Sequence, residues 1–295
     1  MNADKGKQGR KGRHRRISGY GEGTTEVVLS VDAVAEEAAR LASEAPTREH
    51  LMALAGDDPI LSIEDLHAGY GRMEILHGVD LYVAAGQSLC LIGPNGAGKS
   101  TVLHSIFGFT TIFSGHVHMR EKDITHLKPN EKLAEAGVAY ILQDNSVFPD
   151  MTVEENLWMG GWLLHDAAEA KRRAEEVFAK YDRLAARRKK PASVLSGGER
   201  RLLEIARALI MRPDILLVDE PSIGLEPRFI DMVFDILEDL QHAEGKTIVM
   251  VEQNARKGLE FADVGYVLVS GQLVKAASGD DLLEDPDVGR LFLGG

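Results

Sequence analysis

The residues Gly93-Pro94-Asn95-Gly96-Ala97-Gly98-Lys99-Ser100-Thr101 hold the strongest chemical signal in the chain. They fit G-x-x-x-x-G-K-[ST], between the apolar run SLCLI and a helix that opens at Lys99. Gly93, Gly96 and Gly98 let the backbone wrap a phosphate with its N–H groups turned inward. The helix N-terminus adds a positive dipole end. Lys99 is placed to reach the β- and γ-phosphates of a nucleotide, and Ser100 to ligate Mg²⁺. Pro94, Asn95, Ala97 and Thr101 complete the cradle.

A second run, Ile215-Leu216-Leu217-Val218-Asp219-Glu220, is an apolar strand ending in two carboxylates. In a parallel sheet the strand C-termini line the ligand crevice. Asp219 suits the Mg²⁺ shell, directly or through water. Glu220 can orient or deprotonate an attacking water. A third run, Val249-Met250-Val251-Glu252-Gln253-Asn254, also ends polar, but on an acid and two neutral amides. Leu195-Ser196-Gly197-Gly198-Glu199 is a small-residue turn that opens the helix ERRLLEIARALI. Such a turn is a second anion cradle, with the Ser196 hydroxyl and the N–H groups of Gly197 and Gly198 as donors.

These groups need strands to carry them and helices to follow. From Ile60, ILSIEDL, ILHGVDLYV and SLCLI read as strands with short turns. Beyond residue 93, helix and strand alternate: a helix from Lys99, a strand near Val138–Leu142, helices through 152–185, a helix over 198–211, strand Ile215–Val218, a helix over 228–243, and strand Thr247–Val251. The pattern implies an α/β fold with a mostly parallel core sheet flanked by helices. The stretch 152–190 is helical without strands and reads as an inserted subdomain. Residues 31–45 place Val31, Val34, Ala38 and Leu41 on one helical face, which predicts a short amphipathic helix. Pro46 and the Gly56–Pro59 cluster punctuate the entry to the main domain.

Composition sets the outer bounds. The chain has 295 residues, enough for a full core in one large domain or two small ones. The single Cys90 excludes a disulfide framework and suits a reducing cytosol. It lies in an apolar strand and is expected to be a small core residue. No apolar run approaches the roughly 20 residues of a membrane span. The N-terminal basic stretch is not followed by an apolar core, so it does not read as a signal peptide. Net charge is −12, unevenly spread: residues 1–16 hold seven bases against Asp4, which is +6 and leaves −18 elsewhere. An acidic body excludes a nucleic-acid-binding core. The basic arm is expected to be a disordered tail, with contact to anionic lipid or RNA as the alternative.

The motifs in this order and spacing resemble those of ATP-binding cassette (ABC) proteins. The resemblance covers about residues 59–295. It implies a phosphate-loop ABC-type nucleotide-binding domain with a mostly parallel core sheet, a small antiparallel β subdomain and a helical subdomain at about 144–196. Residues 1–58 are left as an extension dispensable for basal ATPase activity. The resemblance places Gln143 where the family's glutamine meets Mg²⁺, the attacking water and a membrane partner. Tyr70 stands where an aromatic stacks on adenine; the alternative is a turn aromatic covering the small sheet. The Ser196 turn would serve the γ-phosphate held by a second subunit, so that two nucleotides are sandwiched at a twofold-related interface. Gln253 occupies the place of a histidine that contacts the γ-phosphate in most relatives, and Asn254 follows where an acid is common. Gln253 either donates to that phosphate without being able to become cationic, or caps the next helix, a role that favours Asn254. Glu226 departs from the usual Asp at the end of the SIGLE loop.

VFPDMTVEENLWMG, SIGLEP and VEQN together look like the ATPases of branched-chain amino-acid importers and their urea or amide relatives. The resemblance then implies ATP and Mg²⁺ as cofactors. It implies transmembrane permease subunits and a second ATPase subunit, like or unlike, as partners, with an extracytoplasmic binding protein acting indirectly. The location would be peripheral, on the cytoplasmic face of the inner membrane. A lipid or lipopolysaccharide exporter ATPase is the next reading, and a soluble repair or translation factor the least favoured. His116 and His118 share one strand face without a nearby third ligand, so no metal site is expected there. Thr152 with Glu155 reads as a capping pattern, and Glu154 as a helix-start charge.

Overall fold

The computed structural model describes residues 45–56, 58–143 and 146–293. The basic arm and nearly all of the helix expected over 31–45 lie outside the described residues. The described part opens with α1 (Arg48–Ala55), which Thr47 caps by accepting from the His50 N–H. It is followed by β1 (Pro59–Tyr70), β2 (Met73–Ala84), β3 (Ser88–Ile92), α2 (Lys99–Phe107), β4 (Thr111–Met119), β5 (Lys122–Asp123), α3 (Pro129–Ala136) and β6 (Val138–Ile141). The helical insert holds α4 (Val153–Gly160), α5 (Ala167–Lys180) and α6 (Asp182–Ala185). The chain then runs through α7 (Gly197–Leu209), β7 (Ile215–Asp219), α8 (Pro227–His242), β8 (Thr247–Val251), α9 (Ala255–Phe261), β9 (Val264–Val269), β10 (Gln272–Ser278), α10 (Gly279–Glu284) and α11 (Pro286–Phe292).

Two sheets result. The small one is antiparallel, in the order β2-β1-β4-β5; the large one runs β10-β9-β3-β8-β7-β6. Within the large sheet β9, β3, β8, β7 and β6 pair in parallel, and β10 returns antiparallel beside β9. Every residue of β3, β7, β8 and β9 is buried. That is why these strands read as unbroken apolar runs: helices cover both faces of a parallel sheet. The insert has its own small core, in which Val153 and Leu157 of α4 meet Ala174 and Phe178 of α5 and Leu202 and Leu203 of α7.

The domain begins earlier than the sequence reading placed it. Two punctuation signals flank α1, and eight of the nine residues between them form a helix. Leu51 (1% exposed) and Ala55 (4%) join the main core. The His50 ring bonds the Ala276 carbonyl on β10 at 2.9 Å, and Arg48 pairs with Asp80 on β2. α1 is therefore part of the folded body, and removing residues 1–58 strips a core helix. Leu51→Ala is expected to cost about 2–5 kcal/mol, read as a lower urea midpoint. An unchanged midpoint would mean that α1 is not docked in solution.

Candidate nucleotide-binding site

The sheet brings three polar strand ends to one level. Val251 at the end of β8 is in register with Leu91 of β3 on one side and Asp219 of β7 on the other; Ile141 of β6 lies beside Val218. The phosphate loop leaves β3 and enters α2 at Gly98. Gly93 has φ +146°, and a Cβ there would stand 2.0 Å from the Leu268 carbonyl oxygen. Gly98 has φ +97° and would drive a Cβ to 2.9 Å from Leu76. Only glycine satisfies both the torsion and the space. The Ala97 N–H donates to the Pro94 carbonyl at 3.2 Å, and the Ala97 carbonyl accepts from Gly271 at 2.9 Å.

Inside this turn the Lys99 ammonium donates to the carbonyls of Gly93 (2.9 Å) and Pro94 (3.0 Å). Burial pulls its pKa below the ordinary lysine value, while Glu220 and Asp219 pull the other way. The Ser100 hydroxyl donates to one Asp219 carboxylate oxygen at 3.0 Å. The other Asp219 oxygen accepts from the Tyr140 hydroxyl at 2.8 Å. Glu220 takes φ +43°, uncommon outside glycine. Its N–H bonds the Val251 carbonyl at 2.8 Å, and its carboxylate accepts from the Gln143 amide at 2.9 Å. Gln143–Glu220 and Ser100–Asp219 are thus two bonded pairs on adjacent residues at the end of β7.

Tyr70, 44% exposed, shares a cleft of about 280 Å³ with Ile75, Asn95, Lys99, Ser100 and Glu220; Gly96, Gly98 and Thr101 also line it. Its hydroxyl lies 2.5 Å from His104 Nδ1. Burial lowers the His104 pKa, against the pull of Asp219, so the ring is neutral near pH 7. A larger hollow, about 680 Å³, shares no lining residue with this cleft. Two ion pairs cross its lining, Arg120 with Asp214 and Lys122 with Glu135.

At the third strand end the two amides divide their work. Asn254 caps α9, accepting from the Lys257 N–H at 3.1 Å, and Gln253 is left exposed. The preceding Glu252 is 1% exposed and accepts from the Ser222 hydroxyl (2.8 Å) and the Asn254 N–H (2.9 Å). It ties the loop after β7 to the loop after β8.

Ser196, Gly197 and Gly198 do not line the cleft. Ser196 caps α7 in a reciprocal box with Glu199. Gly198 is also a packing glycine: a Cβ there would sit 2.2 Å from the Phe229 ring. The expected box of Thr152 and Glu155 is present. Glu154, read as a start charge, is 5% exposed and paired with Arg188 at 2.7 Å and with Lys189. Cys90 is buried, and burial pushes its thiol pKa up.

Four residues of the site escaped sequence reasoning: Tyr140, Glu252, His104 and Arg201. Arg201, 4% exposed, donates to the Leu142 carbonyl (2.6 Å), the Asp219 carbonyl (3.2 Å) and Glu204 (2.9 Å). It joins the start of α7 to two strand ends. Its signal was present, since it falls four residues before Ile205 on the apolar face of α7.

A glycine-rich loop closed on a buried lysine, beside strand-end carboxylates in a parallel sheet, defines a phosphate-loop nucleotide-binding domain. A profile of the ABC transporter family matches residues 76–223. The chain is 38% identical over 229 residues to the probable branched-chain amino acid transport ATP-binding protein LivF of Archaeoglobus fulgidus, covering 78% of this chain and 96% of the relative. It is 39% identical over 236 residues to the high-affinity branched-chain amino acid transport ATP-binding protein BraG of Pseudomonas aeruginosa, covering 80% of this chain and all of the relative. The ADP conformation of an ATP-binding cassette of an ABC transporter superposes with a TM-score of 0.70 at 30% identity, covering 81% of this chain and all of that one. The chain belongs to the ABC transporter ATP-binding family and is an ATPase of that class.

Arg201→Met leaves Glu204 as an uncompensated buried charge and is expected to cost about 3–5 kcal/mol. Arg201→Met/Glu204→Met should recover part of that loss in the same urea titration. A double variant no more stable than the single one would contradict this account of the pair.

Proposed function

We propose that this chain is the ATP-hydrolysing subunit of an importer for branched-chain or other hydrophobic amino acids. It would sit peripherally on the cytoplasmic face of the membrane. Among the described residues no helix is long and apolar enough to cross a bilayer, so the pathway for the amino acid belongs to permease subunits. A second ATPase subunit completes the motor, and an extracytoplasmic binding protein delivers cargo.

The importer reading is supported by the likeness to branched-chain amino acid transport ATP-binding proteins, and the two-chain site by the makeup of the cleft. Lys99 and Ser100 line the cleft, while the Ser196 turn does not. A nucleotide in the cleft of one chain then leaves its γ-phosphate for the Ser196 turn of another. In this role the adenine stacks on Tyr70, and the Gly93–Gly98 backbone and Lys99 hold the phosphates. Lys99 exchanges its two carbonyl acceptors for phosphate oxygens. The hydroxyl of Ser100, the carboxylate of Asp219 and the amide oxygen of Gln143 are hard oxygen donors, which suits Mg²⁺. Mg²⁺ would neutralise charge on the β- and γ-phosphates. Glu220 accepts the proton of the attacking water, and Gln143 orients Glu220 through the bond already formed. Gln253, exposed at the end of β8, supplies a neutral donor.

Coupling to the permease would run through the surface around Gln143 and residues 148–151. Phe148 is 45% exposed, and its backbone is clamped by Asn156, which accepts from the Phe148 N–H at 2.8 Å and donates to its carbonyl at 2.9 Å. A clamped, exposed aromatic is suited to a partner contact.

Glu220→Gln keeps the shape of the cleft and removes the base. It is expected to bind ATP, lose at least about 100-fold in turnover, and run as a dimer with ATP in size-exclusion chromatography. A monomer that hydrolyses at the wild-type rate would overturn the assignment.

A further inference from the structure

Two histidine–carboxylate clusters stand outside the nucleotide cleft among the described residues: His67 with Glu74 and His77, and His116 with His118 and Asp123. In the first, both ring nitrogens of His67 already face carboxylates. Glu74 lies 2.6 Å from Nδ1 and Asp65 3.5 Å from Nε2, and His77 shares the same Glu74 oxygen at 3.2 Å. That group is a hydrogen-bonded cluster closed on itself.

The second is built differently. Strand alternation puts His116 and His118 on one face of β4, with ring centroids 5.7 Å apart. The sequence alone offers no third ligand, because the hairpin that brings Asp123 across is a tertiary feature. The turn at Arg120–Glu121 folds β5 back so that Asp123 lies directly across from His118. One Asp123 oxygen accepts from the Thr125 N–H at 2.8 Å; the other lies 3.2 Å from His116 Nδ1. Thr125 is itself fixed, its hydroxyl accepting from the Val117 N–H at 2.9 Å. The carboxylate is thus held from behind, as carboxylates that ligate metals are.

We propose that His116, His118 and Asp123 form a site for one divalent transition-metal ion of the zinc class, which pins the β4–β5 hairpin. Two imidazoles and one carboxylate suit Zn²⁺, Co²⁺ or Ni²⁺ and not Mg²⁺ or Ca²⁺. The three donor atoms lie within 4.8 Å of one another. Tetrahedral ligation at about 2.1 Å needs them about 3.4 Å apart. Rotation of the His116 ring, whose side chain is 62% exposed, would bring it towards the held Asp123 carboxylate while the backbone stays in register. The exposed side leaves the fourth position to water. The ion would bridge β4 to a strand of only two residues, which is where a cross-link adds most order.

The test is Co²⁺ titration of the full chain without nucleotide, followed by the visible ligand-field absorption of four-coordinate cobalt, with Zn²⁺ displacing it. Wild type and His67→Ala/His77→Ala are expected to saturate at one ion per chain. Asp123→Asn, which keeps the fold, is expected to bind at least about 10-fold more weakly, as is His116→Ala/His118→Ala. Zn²⁺ should raise the Tm of wild type but not of Asp123→Asn. Equal titration of wild type and Asp123→Asn, loss of signal only in His67→Ala/His77→Ala, or no four-coordinate absorption in wild type would each overturn the proposal.

Discussion

Much of this molecule follows from three adjacent parallel strands ending at the same height. β3, β8 and β7 are paired so that the residues after them emerge side by side. The phosphate loop, the Asp219–Glu220 pair and the Glu252–Asn254 turn are therefore neighbours, although more than 150 residues separate the first from the last. Apolar burial holds the strands, since all their residues are inside. The polar groups need no further scaffold than the place where each strand stops. The loop can turn back over β3 only because Gly93 presents no side chain to the Leu268 carbonyl.

Charge brought to this edge must be partnered, and the partners link the parts. Asp219 receives Ser100 from one side and Tyr140 from the other. Glu252, fully enclosed, receives Ser222 and the backbone of Asn254. Arg201 carries the start of α7 to the ends of β6 and β7. An unpartnered buried charge is costly, so these bonds restrict how far the loops can move independently. A displacement of Gln143 reaches Glu220 through one hydrogen bond, and a displacement of α7 reaches Asp219 through Arg201.

The sequence made the backbone of the site legible because its motifs are local. The Gly93–Thr101 loop, the ILLVDE strand and the Ser196 turn each declare their chemistry within ten residues, and the helix–strand alternation supplies the sheet. What stayed hidden was set by tertiary pairing. Tyr140 reads as one more residue of an apolar strand until β6 is laid beside β7. Asp123 reads as a turn acid until the hairpin folds it against His118. α1 is hidden in the sequence because nine residues between two punctuation signals resemble a linker, and its worth lies in Leu51 meeting β-strands that come later in the chain. The two amides at the third strand end were separable in advance only by helix-capping preference, and Asn254 takes that place.

In the proposed motor the nucleotide is held by one chain and completed by the Ser196 turn of another. Ser196→Arg separates those functions, because it alters the turn and leaves the cleft lining unchanged. The decisive measurement is ATP affinity and ATP turnover, side by side, on that variant. The account predicts wild-type affinity in the monomer with turnover abolished. Loss of monomer affinity, or turnover at the wild-type rate, would contradict it.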